Sequence, residues 1–121
     1  MTRVNPIEAL YRARDALELA AAEQARQAEP TPDQLSAYGS AIVSTLAAAG
    51  ELATVLAGQV ADYDEQRLRE QATQNHPADK LRAALSHLTA LQEVLANALV
   101  DARHYWTAAA GMHDDLQADR E

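Results

Sequence analysis

The chain has no cysteine, no phenylalanine and one tryptophan, and it carries only four glycines and four prolines in 121 residues. Without cysteine it can form no disulfide, no thiolate metal site and no thiol nucleophile, which fits a reducing compartment. Its few glycines fall in no phosphate-cradling loop: there is no G-x-G-x-x-G, no P-loop, no H-E-x-x-H and no zinc-finger spacing. Aromatics make up 4% of the chain, and β-branched residues are also sparse, so the usual constituents of a sheet are missing. Long apolar runs are missing too. The N-terminal "MTRVNPIEAL" lacks the continuous apolar stretch of a signal peptide, and uninterrupted apolar runs elsewhere span only a few residues, so no membrane-crossing helix is expected.

Positive charge is scarce as well. Ten Lys and Arg stand against 18 Asp and Glu, a net charge of −8, and nucleic-acid phosphates repel such a surface. Arg67, Arg69, Lys80 and Arg82 gather near one turn, but Glu65, Glu70 and Asp79 sit among them, which reads as a mixed, solvated tip. The expectation is a soluble cytoplasmic protein without a nucleic-acid or membrane partner; export by a route that needs no signal peptide is the alternative. Nine Arg against one Lys, in so Ala-rich a chain, suggests a GC-rich bacterial or phage genome.

What is present is alanine and leucine, 28 and 15 residues. Both rank at the top of helix propensity, so the expected class is all-α, in a single helical domain over residues 1–121. The prolines set the starts. Asn5-Pro6-Ile7-Glu8, Thr31-Pro32-Asp33-Gln34 and His76-Pro77-Ala78-Asp79 each place Pro at a first helical position, where its missing N–H costs nothing. Asn5 and Thr31 are good caps, Thr31 with Gln34 forms a capping box, and Asn75 is an alternative to His76 as the third cap. Pro30 stops the first helix. Helices are expected at about 6–28, 32–73 and 78–118. Gly39, Gly50 and Gly58 each weaken helix 2 by about 1 kcal/mol relative to Ala. A break would fall at Gly50, but no Pro or capping cluster lies beside it, so helix 2 reads as continuous.

Apolar stripes run the length of the long helices. In helix 3, Leu81, Leu88, Leu95, Ala102, Ala109 and Leu116 repeat at seven residues, flanked by Ala84, Leu91, Ala98, Tyr105 and Met112, and by Leu85, Leu99 and Trp106. In helix 2 the stripe is Leu35, Ile42, Leu46, Ala49, Leu52, Ala53, Leu56, Val60 and Tyr63. Such three-in-seven stripes belong to helical bundles. Short connections predict antiparallel neighbours. The expected fold is an elongated three-helix bundle with a short helix 1 packed on a long helix 2–helix 3 hairpin. Helix 1 supplies Ile7, Leu10, Leu17 and Ala21. At about 1.5 Å per residue it reaches only to about residue 54 of helix 2 and residue 99 of helix 3. That leaves Leu52, Val55, Leu56, Val60, Leu81, Leu85, Leu88, Leu91, Val94 and Leu95 without a covering helix. A large apolar patch on a soluble protein marks an interface, and a twofold homodimer forming an intermolecular four-helix bundle is the expected use.

The stretch "ARHYWTAAAGMHDD" looks like a reactive cluster, but helical placement splits it. Tyr105, Trp106, Ala109 and Met112 face inward, and with Tyr11 they predict an aromatic layer that anchors helix 1. His104 and Asp114 face outward. Asp101 and His104 have the acid-to-histidine spacing of a carboxylate-bridged metal site once, on the face away from the Leu stripe, so no metal or other cofactor is expected. His113 reads as a surface or C-terminal residue, His76 as a turn residue and His87 as a boundary one. Ser36, Ser40, Ser44 and Ser86 lie on helices without a nucleophile elbow, and Glu18, Glu51, Asp62 and Glu93 are spread over polar faces rather than converging. The expectation is therefore a non-enzymatic protein-interaction and oligomerisation module. Two alternatives are a small secreted or phage-type effector or adaptor that binds a different protein, and a small-ligand sensor with a pocket at Tyr11, Tyr105 and Trp106. For the effector, the hairpin resembles the small helical substrates of actinobacterial type VII secretion. Tyr11-Arg-Ala-Arg-Asp15 matches their Tyr-x-x-x-Asp export spacing, though early in helix 1, and residues 106–108 read Trp-Thr-Ala where those proteins carry Trp-x-Gly. No family is assigned on that likeness.

Overall fold

A computed structural model describes residues 3–70 and 77–120. The described chain is all-helical, with α1 at Pro6–Ala25, α2 at Pro32–Glu70 and α3 at Pro77–Arg120, and no strand among the described residues. All three helices begin at the expected prolines. The third cap and the expected end of helix 2 near residue 73 lie outside the described residues.

The chain divides into two compact units, Met1–Thr31 and Pro32–Glu121. In the first, Asn5 caps α1: its side-chain oxygen accepts from the backbone N–H of Ile7 at 3.0 Å and of Glu8 at 3.4 Å. These are two of the four donors a helix start leaves without a partner. The helix ends at Ala25, earlier than the expected residue 28. The reason is Pro30, which has no N–H to give the carbonyl four residues back and whose ring crowds that carbonyl. The turn closes instead with tighter bonds, Arg26 N–H to Glu23 O at 3.2 Å and Gln27 N–H to Gln24 O at 3.0 Å. No residue of α1 is buried. Tyr11 is exposed, and the Arg14 guanidinium lies 5.0 Å from its ring centroid while also pairing with Asp15 at 3.0 Å.

In the second unit α2 and α3 pack against each other. Three contacts fix their direction. Trp106 lies against Gly39 and Gln92 reaches Thr54, so over that stretch the numbers fall along α3 as they rise along α2 and the pair is an antiparallel hairpin; Tyr105 reaches the Leu35 carbonyl at the same end as Trp106. Helix 2 is unbroken through Gly50. Thr45, Thr54 and Thr89 each donate their hydroxyl to the carbonyl four residues back, Ala41, Gly50 and Leu85, at 2.8, 3.0 and 2.9 Å. Those bonds let polar residues sit in apolar helices without needing solvent.

Counting uninterrupted apolar runs suggests no helix suited to a bilayer, yet Pro32–Tyr63 is 32 residues long with a windowed mean hydropathy of 1.6, long and apolar enough to cross a membrane by length and composition. Alanine, itself apolar, fills most of the gaps between the large apolar residues and keeps the average high.

Candidate interaction surface

The hairpin is held by its smallest residues. Among the described residues the buried ones are Gly39 and Ala53 of α2 and Ala102 and Ala109 of α3. They belong to two seven-residue series, Gly39, Leu46, Ala53, Val60 and Leu81, Leu88, Leu95, Ala102, Ala109, whose other members are half-buried. Seven residues are nearly two helical turns, so each series forms one ridge along its helix, and the two ridges meet as a seam.

Gly39 acts differently from what helix propensity suggests. A Cβ added there would lie 2.8 Å from both Cα and Cβ of Trp106 and 2.9 Å from its Cδ1. The backbone of α3 therefore comes too close at this level for any side chain, and glycine is required for a packing reason. Around Gly50 and Gly58 an added Cβ would meet nothing within 4 Å. At the same end of the hairpin the Tyr105 hydroxyl donates to Leu35 O at 2.8 Å. Tyr105 and Trp106 thus tie α3 to the first turns of α2. Tyr11 belongs to the other unit, Met1–Thr31.

On either side of the seam the hairpin differs. One shoulder carries Val43, Gly50 and Ala57 of α2 with Leu85, Gln92 and Leu99 of α3, all half-buried, and ends at the more exposed Trp106. Here Gln92 Nε2 donates to Thr54 Oγ1 at 2.9 Å. This is the closed face. The other shoulder carries Leu35, Ile42, Ala49, Leu56 and Tyr63 of α2 with Leu91, Ala98, Tyr105 and Met112 of α3. Leu35 of the first series and Tyr105 and Met112 of the second line one notch, which places the two series on the same side. This is the open face: Leu56 is 39% exposed, Tyr63 49%, Leu91 45% and Met112 43%. None of these nine positions holds a charged residue.

The ten residues that sequence singles out as an uncovered interface divide between these surfaces. Leu52, Val60, Leu81, Leu85, Leu88 and Leu95 are half-buried, and most of them serve the hairpin's own seam. Val55, Leu56, Leu91 and Val94 are exposed. Sequence reasoning missed that the exposed apolar surface continues toward the other end of the hairpin through Ile42, Tyr105 and Met112. The signal was available in the seven-residue spacing, but choosing between the two shoulders required the register of α2 against α3.

At that end the open face holds a notch of about 230 Å³ lined by Leu35, Tyr105, Ala108, Ala109 and Met112. A second, shallow depression of about 580 Å³ follows Trp106, Thr107, Ala110, Gly111 and Asp114, all on α3. Among the described residues no three His, Asp or Glu side chains come together as a metal set, and Asp101 and His104 are exposed. No family model, curated protein or solved structure matches the chain.

Proposed function

We propose that this protein is a non-enzymatic helical interaction module that works by self-association. The observation behind the reading is an inversion: glycine and alanine are buried, while large apolar side chains crowd one uncharged face of a two-helix hairpin. An exposed apolar surface of that extent on a folded hairpin is an interaction site. A two-helix hairpin with three-in-seven stripes uses one side of each stripe for its own seam, and a second hairpin supplies what the other side needs, as in a four-helix bundle.

A protein surface suits this face better than a bilayer or a free small ligand. Glu93, Asp101 and Arg103 of α3 lie exposed, level with the apolar window of α2. Drawing the hairpin into a bilayer would bring them along, at about 2.5–3.5 kcal/mol for each charge near the centre. The 230 Å³ notch is smaller than most ligand pockets, about 300–1,000 Å³, and its one polar side chain already donates to Leu35 O.

Sedimentation velocity or light scattering of the full chain at micromolar concentration tests the reading. A species of twice the 13.1 kDa chain mass is expected. A 13.1 kDa species at every concentration would overturn it.

A further inference from the structure

The geometry points to one specific assembly: two hairpins docked open face to open face with their tips in opposite directions, the Tyr63 side chain of each copy seated in the other's notch. The inference rests on the self-association reading and adds which face pairs, in what orientation, and what fills the notch.

The arrangement follows from spacing on α2. Its open-face series is Leu35, Ile42, Ala49, Leu56, Tyr63, with the smallest residue in the middle and two large residues on each side. The Gly39–Trp106 and Thr54–Gln92 pairs put Ala98 of α3 within about one residue of the level of Ala49. Ala98 is likewise flanked by large residues, Leu91 and Tyr105. The open face therefore has a narrow waist of two alanines. A twofold axis through this waist, perpendicular to the helices and between the two faces, sets Ala49 against Ala49 and Leu56 against Ile42 of the second copy.

The same axis sets Tyr63 against Leu35, because each lies fourteen residues from Ala49. Leu35 is one wall of the notch, completed by Tyr105, Ala108, Ala109 and Met112. An exposed aromatic side chain on one copy thus meets an apolar notch on the other, and symmetry makes the contact twice. The reverse orientation, with both tips at one end, leaves each Tyr63 at the far end from the notch.

The area is sufficient. From Leu35 to Tyr63 the face is about 43 Å long at 1.5 Å per residue, and two packed helices make it about 18–20 Å wide. That is about 800 Å² per copy, the size of a standard stable interface. A second copy is favoured over an unlike protein because the face carries no charge that would call for a complementary one, and because its own pattern mirrors about the waist.

The absence of native cysteine makes a direct test possible. Under mild oxidation at micromolar concentration, Ala49→Cys should convert to a covalent dimer. Val43→Cys on the closed face and Val100→Cys on the outer side of α3 should stay monomeric on a denaturing gel. Tyr63→Ala should weaken the dimer by at least about tenfold with helical ellipticity unchanged. A wild-type dimer with no Ala49→Cys cross-link, or with a Val43→Cys cross-link, overturns this assembly and leaves self-association standing. A Tyr63→Ala dimer of wild-type strength overturns the seating of Tyr63. A wild-type chain that is monomeric throughout overturns both this assembly and the self-association reading. Its co-sedimentation with phosphatidylglycerol vesicles would then assign the open face to a membrane.

Discussion

Along the seam of the hairpin the buried residues are Gly39, Ala53, Ala102 and Ala109, whereas on the open face beside it Leu56, Tyr63, Leu91 and Met112 stand partly in solvent. In a self-sufficient domain the order is the reverse, because each large apolar side chain gains about 1.5–3 kcal/mol on full burial and small residues gain little. Small residues in the seam bring the two helix backbones close. Their gain is contact along the whole length rather than the burial of any one large side chain. The price is a hairpin whose large apolar groups are left partly exposed, and Ile42, Leu56, Tyr63, Leu91, Tyr105 and Met112 among them lie along one face. Closeness of the helices and the exposure of large apolar side chains have one cause: the same choice of small seam residues produces both.

The largest expected effect separates seam from face directly. Leu88→Glu places a carboxylate among half-buried seam residues, and an unpaired charge there should cost about 2–4 kcal/mol, read as loss of ellipticity and a large fall in Tm. Leu91→Glu, one turn along on the open face, should leave the hairpin's ellipticity intact and lower only the associated fraction in sedimentation. Equal loss of helix in both variants would show that Leu91 is core and that the open face is not a separate surface.

Next is glycine. In helix interiors Gly→Ala gains about 1 kcal/mol from propensity. At Gly39 the added Cβ would meet the α3 backbone at Trp106, so overpacking of about 1–3 kcal/mol should exceed that gain and lower Tm. At Gly50 and Gly58 the space is open, and the same change should raise Tm, each by about 0.5–1 kcal/mol of stability. A stabilised Gly39→Ala chain would mean the helices are free to separate at that level.

These glycines also mark how far the sequence could be read. The helix starts were legible because proline at a first turn is a local signal, and Asn5 caps α1 as its side-chain chemistry predicts. Continuity through Gly50 was legible from the lack of any breaker nearby. Gly39 was misread as a mere weakness, since its role depends on Trp106, 67 residues away, and on a register that no local signal sets. The candidate surface was half legible for the same reason. Heptad spacing marks which residues lie near a seam, but not which shoulder the partner helix covers. Spacing alone therefore does not separate Leu85 and Leu88, which line the hairpin's own packing, from Leu56 and Leu91, which are exposed.

A smaller effect is expected at Tyr105. Tyr105→Phe keeps the ring and removes the hydroxyl that donates to Leu35 O at 2.8 Å, so stability should fall by about 0.5–1.5 kcal/mol in a denaturant titration. Because this ring also walls the notch, association should change little, which separates the hydroxyl's part in the hairpin from the ring's part in the face. A tenfold loss of association without a loss of stability would assign the hydroxyl to the interface instead.

The smallest expected change in stability bears most directly on what keeps the two faces different. The closed face is interrupted at Gln92, whose amide donates to Thr54 Oγ1, while Thr54 still donates its own hydroxyl to Gly50 O. Gln92→Leu removes one partly exposed hydrogen bond, worth about 0.5–1.5 kcal/mol, and adds apolar area of similar value, so stability should stay within about 0.5 kcal/mol. The polar interruption between Leu85 and Leu99 is lost, however, and the closed face then carries three leucines in a seven-residue series. A second continuous apolar shoulder can recruit further hairpins, so light scattering should show species heavier than the proposed wild-type dimer at the same concentration. If the Gln92→Leu chain keeps the wild-type mass, then burial by α2, and not the polar contact, is what closes that face.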